Sequence, residues 1–203
     1  LVSLLGASAS PQPNFELPRL AASATEIREC SRRWGARESV LLEGPAACRD
    51  RLVEALRSRP AVLHLATHVL TPEGRRDGAL IALSLGPPGR PEVLTSSEIA
   101  SLSAARLVVL SGCSSGNGNP LPGAGLVGLT RAWLAAGADR VVASLWPTPD
   151  DLGEIFLSFY GHISQQPRQA AEALRKAQLE MLHSGNWRRQ PRYWAAYVVT
   201  GKG

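Results

Sequence analysis

Leu107-Val108-Val109-Leu110-Ser111-Gly112-Cys113-Ser114-Ser115-Gly116 decides the fold. Four apolar residues, two of them β-branched, run into a small, sharply turning segment. A run this short and this apolar reads as a strand buried on both faces, the pattern of a parallel sheet. The glycines after it let the backbone turn tightly and let another group approach. Ligands of open α/β sheets sit at the carboxyl ends of strands, which is where Cys113 falls. A second run, Val62-Leu63-His64-Leu65-Ala66-Thr67-His68, ends in a histidine. The two strand ends are expected to lie side by side, pairing His68 with Cys113.

Working outward, strands alternate with helices. Leu1 to Gly6, Val40 to Leu42, Ala79 to Ser84, Arg140 to Trp146 and Tyr193 to Thr200 read as further strands. Leu20 to Trp34 carries apolar residues at helical spacing and stops at Gly35. Helices are also expected over Pro45 to Arg57, Thr95 to Leu102, Leu126 to Ala136 and Pro167 to Leu182. Thr148-Pro149-Asp150-Asp151 has the composition of a helix start: a capping Thr, Pro in the first turn, then acids. Alternation of this kind predicts a mostly parallel sheet covered on both faces. There is no internal repeat and no composition break, so residues 1–203 read as one domain. Leu1 is not preceded by Met, and a piece of a longer chain is expected.

Composition removes several classes. At 203 residues, 44% hydrophobic and 19% charged, the chain has an ordinary globular balance. No apolar run is long enough for a membrane span. The net charge of +5 comes almost entirely from arginine, scattered except at Arg188, Arg189 and Arg192. This is a solvated basic surface, and direct nucleic-acid binding is not expected. Cys30, Cys48 and Cys113 show neither C-x-x-C nor metal-ligand spacing, so no metal is expected, and a low, odd count fits a reducing, cytoplasmic setting. Cys30 and Cys48 read as packing residues. His64 and His68, four apart on one strand, are about 13 Å apart and cannot share a metal; His64 reads as a satisfied core histidine.

A thiolate is the reactive form of cysteine, and a neighbouring imidazole can take its proton and return it to a leaving amine. The same stretch also fits G-x-S-x-G, with Ser114 as a serine nucleophile. That motif should lead directly into a helix, whereas Gly116 to Gly123 is rich in Gly, Asn and Pro. The sequence has no G-x-x-x-x-G-K and no G-x-G-x-x-G directly after a strand, so a nucleotide-binding role is not expected.

His64-Leu-Ala-Thr-His68, Leu110-Ser-Gly-Cys113, Gly123-Ala-Gly125-Leu126, Ala136-Gly137-Ala138, Val142-Ala-Ser-Leu-Trp146, Asp150-Asp151, Phe159-Tyr160 and Tyr193-Trp194-Ala195-Ala196 follow one another in the order seen in CHAT domains. The chain resembles these caspase-like cysteine-protease domains, which are related to separase. The resemblance implies an α/β three-layer sandwich whose mostly parallel six-stranded sheet has helices on both faces. It implies His68 as general base and acid, Cys113 as nucleophile, and an oxyanion site from the backbone N–H groups of Cys113 and Val69. Val69 stands where the family usually has Gly; the N–H is kept, but a β-branched residue is costly at positive φ. An acidic pocket for Arg or Lys is implied at Glu154, with Asp150 and Asp151 beside it; on one helix, Asp150 and Glu154 would share a face. No cofactor is implied. A protein or peptide substrate and a helical-repeat region or partner are expected. A catalytically silent scaffold is the alternative within the same family.

Overall fold

The computed structural model describes residues 1–5, 20–70, 79–85, 91–111, 124–146, 148, 150, 153–163 and 166–201. The helices and strands to which the site belongs are β1 (Val2–Leu5), α1 (Ala21–Trp34), β2 (Val40–Glu43), α2 (Arg49–Arg57), β3 (Val62–Leu65), β4 (Val69–Leu70), β5 (Leu80–Leu85), β6 (Pro91–Leu94), α3 (Ser96–Ala100), β7 (Leu107–Leu110), α4 (Ala124–Ala135), β8 (Arg140–Ser144), α5 (Glu154–His162), α6 (Ala170–His183) and β9 (Tyr197–Gly201).

Among the described residues six strands form the main sheet, in the order β2-β1-β3-β7-β8-β9. The first five run parallel and β9 closes the edge antiparallel to β8. β3 and β7 are central and every residue of both is buried, which is why they read as nearly continuous apolar runs, broken only by His64, rather than alternating ones. Side chains still alternate between the two faces. Leu63, Leu65, Val108 and Leu110 pack with Leu52 and Leu56 of α2, Ile99 of α3 and Trp133 of α4. Val62, Leu107 and Val109 face Cys30 and Trp34 of α1, Phe156 and Phe159 of α5, and Leu174 of α6. His64 shares the parity of Val62 and therefore points to the α1 and α5 side.

A second, three-stranded antiparallel sheet, β4-β5-β6, joins the same core through Val69, Ile81, Leu83 and Leu94. The sequence reading missed β4 and β6. A two-residue strand has no periodicity to detect, and the Pro at the head of β6 weakens a strand assignment.

The helix start expected at Thr148–Asp151 is corrected. α5 begins at Glu154, and its N-cap, Gly153, is left-handed at φ 62°. Thr148 is buried instead, its Oγ1 3.0 Å from the Tyr197 hydroxyl. A hydroxyl taken by a partner on β9 is not available to cap a helix. The opening of the second expected helix is also different: a 3-10 turn over Gly44–Ala46 precedes α2. No described helix is long and apolar enough to cross a membrane.

Candidate functional site

The register of β3 against β7 sets the site. His64 lies opposite Val109 and Leu65 opposite Leu110, so the two strands finish together. Ser111 continues the ladder, its N–H donating to the Leu65 carbonyl at 3.0 Å. Cys113 comes two residues later; it lies outside the described residues, as do Ser114 and the rest of 112–123.

His68 sits three residues past the end of β3 and is fully buried. Its backbone is held by β5. The Ala82 N–H donates to the His68 carbonyl at 2.9 Å, and the Thr67 hydroxyl donates to the Ala82 carbonyl at 2.6 Å. Val69 follows in β4, paired with Ile81. Because antiparallel partners alternate between bonded and non-bonded pairs, the bond between Ala82 and His68 makes Val69–Ile81 a non-bonded pair. The Val69 N–H therefore points away from β5. Val69 is extended: among the described residues the only non-glycine with positive φ is Arg59. Replacing Gly by a β-branched residue thus creates no backbone strain at this position.

The acidic candidates separate. Asp150 lies outside α5 and caps α1 from across the molecule, Oδ1 accepting from the Ser23 hydroxyl (3.0 Å) and Oδ2 from the Ala22 N–H (3.3 Å). It lines a small cleft together with Leu20, Ser23, Glu26 and Ser111. Glu154 accepts from Arg188 Nη1 at 2.5 Å, with the arginine head largely buried. Asp150 and Glu154 do not share a helix face, because only Glu154 is in the helix. Asp151 lies outside the described residues.

Behind the cleft is a buried polar group that sequence reading did not assemble. His64 is fully buried; its Nε2 is 3.0 Å from Ser111 Oγ and 2.8 Å from Glu26 Oε1, and its Nδ1 is 3.2 Å from the Tyr160 hydroxyl. Its ring stacks on Tyr160 and meets Phe156 edge-on. The available signal was Glu26 itself. It occupies the buried stripe of α1 with Ser23, Ile27, Cys30 and Trp34, where a carboxylate is out of place. Burial, helped by the nearby Glu26 carboxylate, pushes the Cys30 thiol well above its ordinary range. Among the described residues no group of three His, Cys, Asp or Glu is placed to hold a metal.

The chain is 30% identical over 193 residues to tetratricopeptide repeat protein 28 of Mus musculus, and 27% identical over 192 residues to that of Homo sapiens, with 79% of this chain covered in each case. It spans 8% of the length of these curated relatives. Among solved structures it resembles the Arg-specific cysteine proteinase gingipain R, with a TM-score of 0.53 at 10% identity, over 99% of this chain and 46% of that one. The fold is thus that of a caspase-like cysteine peptidase. The family model of the CHAT domain matches residues 4–202, and the chain belongs to the CHAT domain family.

Proposed function

We propose that the chain is a cysteine endopeptidase that cleaves a protein or peptide after Arg, or after Lys, using His68 and Cys113. The placement of His68 carries the reading: buried, fixed by Ala82, and just past the end of the strand that neighbours β7. In this mechanism the imidazole takes the Cys113 proton and the thiolate attacks the substrate carbonyl. The oxyanion is held by the N–H groups of Val69 and Cys113. His68 then protonates the leaving amine, and water hydrolyses the thioester.

Asp150 is the carboxylate we assign to the cationic side chain of the residue before the cut, because it lines the cleft beside Ser111. Glu154, engaged by Arg188, and Asp151 are the further acidic candidates. A cytoplasmic setting and a helical-repeat region attached to or bound by the domain complete the proposal. The repeat region is supported by the relatives being tetratricopeptide repeat proteins.

The test is a set of fluorogenic peptides differing only in the residue before the bond, given to the full-length protein. Turnover after Arg should vanish in Cys113→Ala and fall by about 10²–10⁴-fold in His68→Ala. Activity that survives Cys113→Ala but not Ser114→Ala would make the protein a serine hydrolase. An Arg-based thiol-reactive probe that fails to label Cys113 would leave the scaffold reading.

A further inference from the structure

A hollow of about 260 Å³ opens at the amino ends of β3, β7 and β8, the end of the sheet opposite to His68 and Ser111. Arg59 and Pro60 border it ahead of β3, Ser103 and Arg106 ahead of β7, and Gly137 ahead of β8. Among the described residues its lining holds two arginines, one hydroxyl and no acidic residue; the rest of the wall is small and apolar. Both arginines are exposed, so a ligand can reach them.

Arg59 occupies an unfavourable position. α2 ends at Arg57 with Ser58 as its cap, and Arg59 follows at φ 48°. Its N–H donates to the Leu56 carbonyl at 2.9 Å, the bond of a left-handed helix stop, where glycine is the usual residue. α4 stops against the same hollow in the same way and uses Gly137, at φ 104°. An arginine at positive φ costs backbone energy that glycine would not, and Pro60 adds to it, since a residue before proline is normally extended. Among the described residues no side-chain hydrogen bond of Arg59 offsets that cost.

The charge here is also uncompensated. Arg28, Arg49, Arg51 and Arg188 each meet a carboxylate, whereas Arg59 and Arg106 meet none among the described residues. Asp139 gives its N–H to the Arg106 carbonyl, but its side chain makes no ion pair with either arginine. The carbonyl ends of α2 and α4 favour cations nearby, yet neither guanidinium bonds a helix carbonyl. An anion in the hollow would satisfy both guanidinium groups and remove their mutual repulsion.

We propose that this hollow binds the phosphate group of a small phosphate monoester, held by Arg59, Arg106 and the Ser103 hydroxyl. Such a group carries a charge of about −1.5 to −2 near pH 7 and three acceptor oxygens, which suit two guanidinium forks; a carboxylate balances only one. The volume admits a small organic body against the apolar wall. The site is separate from the cleft beside Ser111 and does not depend on the peptidase reading.

Phenyl phosphate, benzoate and the neutral benzyl alcohol are titrated into the full-length protein by calorimetry. Phenyl phosphate should bind tighter than either of the others by about tenfold or more. Arg106→Gln and Arg59→Gly should each weaken phenyl phosphate by about tenfold or more. Arg59→Gly separates binding from folding: glycine relieves the strain at φ 48°, so the variant should melt no lower than the wild type while it loses the ligand. Phenyl phosphate that binds no tighter than benzoate, or an affinity that either substitution leaves unchanged, overturns the proposal. A lower Tm in Arg59→Gly would show that the side chain serves the fold, and overturns it as well.

Discussion

His64 Nε2 stands 3.0 Å from Ser111 Oγ, so a side chain of β3 fastens the residue through which the chain leaves β7. The same ring meets Tyr160 and lies against Glu26. His64→Ala would strip partners from buried polar groups, each costing about 1–3 kcal/mol when left unsatisfied, and would open a cavity beside Phe156. A loss of ~3 kcal/mol or more is expected in urea denaturation followed by tryptophan fluorescence. A loss below ~1 kcal/mol would show that the network adds little.

Gly153→Ala should be costly for two separable reasons. The residue is left-handed at φ 62°, and the new methyl would meet Glu26. Backbone strain of roughly 1–3 kcal/mol is expected from the first alone. Truncating Glu26 to Ala in the same chain should recover the steric part. A double-mutant cycle therefore gives a non-zero coupling between positions 153 and 26, and strict additivity would refute the contact.

The start of α3 predicts a pH dependence. Thr95 and Glu98 form a reciprocal capping box. The Thr95 backbone N–H donates to Glu98 and holds its carboxyl below the ordinary carboxylate range, against the opposing effect of burial and with help from the Thr95 hydroxyl and Arg49. A depressed folded-state pKa contributes stability that is full above the unfolded value of about 4.3 and disappears as pH falls through the lower folded value. Glu98→Gln should therefore flatten the fall of Tm on acidification below about pH 4.3 and leave its slope near neutrality unchanged. Thr95→Ala should cost ~1 kcal/mol at neutral pH.

Cys30 should be inert in the native state. It is fully buried, and burial raises its thiol pKa, so little thiolate forms. Iodoacetamide followed by peptide mass spectrometry should leave Cys30 unmodified until denaturant is added. Native labelling at rates like those of a free thiol would contradict its placement on the buried face of α1.

What the sequence revealed depended on the range of the interaction. β3, β7 and β8 were legible because burial on both faces leaves mostly apolar residues, whatever the tertiary partners. The end of α1 at Gly35 and the cap at Thr95 are local and were equally legible. The helix start at Thr148 failed because a residue 49 positions away claims its hydroxyl. Glu154 was read from its place in the chain, with no sign that Arg188, 34 residues on, would bind it. Glu26 was passed over although a carboxylate in the stripe of Ile27, Cys30 and Trp34 was visible in the sequence; that it lies against His64 of β3 shows only in the fold.

The attachment of His68 to Ala82 has a thermal consequence. The small sheet that holds the histidine shares its core with the large one: Ile81, Leu83 and Leu94 belong to the same packed cluster as Leu65 and Leu110. A segment with so many shared apolar contacts does not open alone at low free energy. On heating, His68 is released when the whole core melts, so loss of its placement and global unfolding occur as one cooperative event.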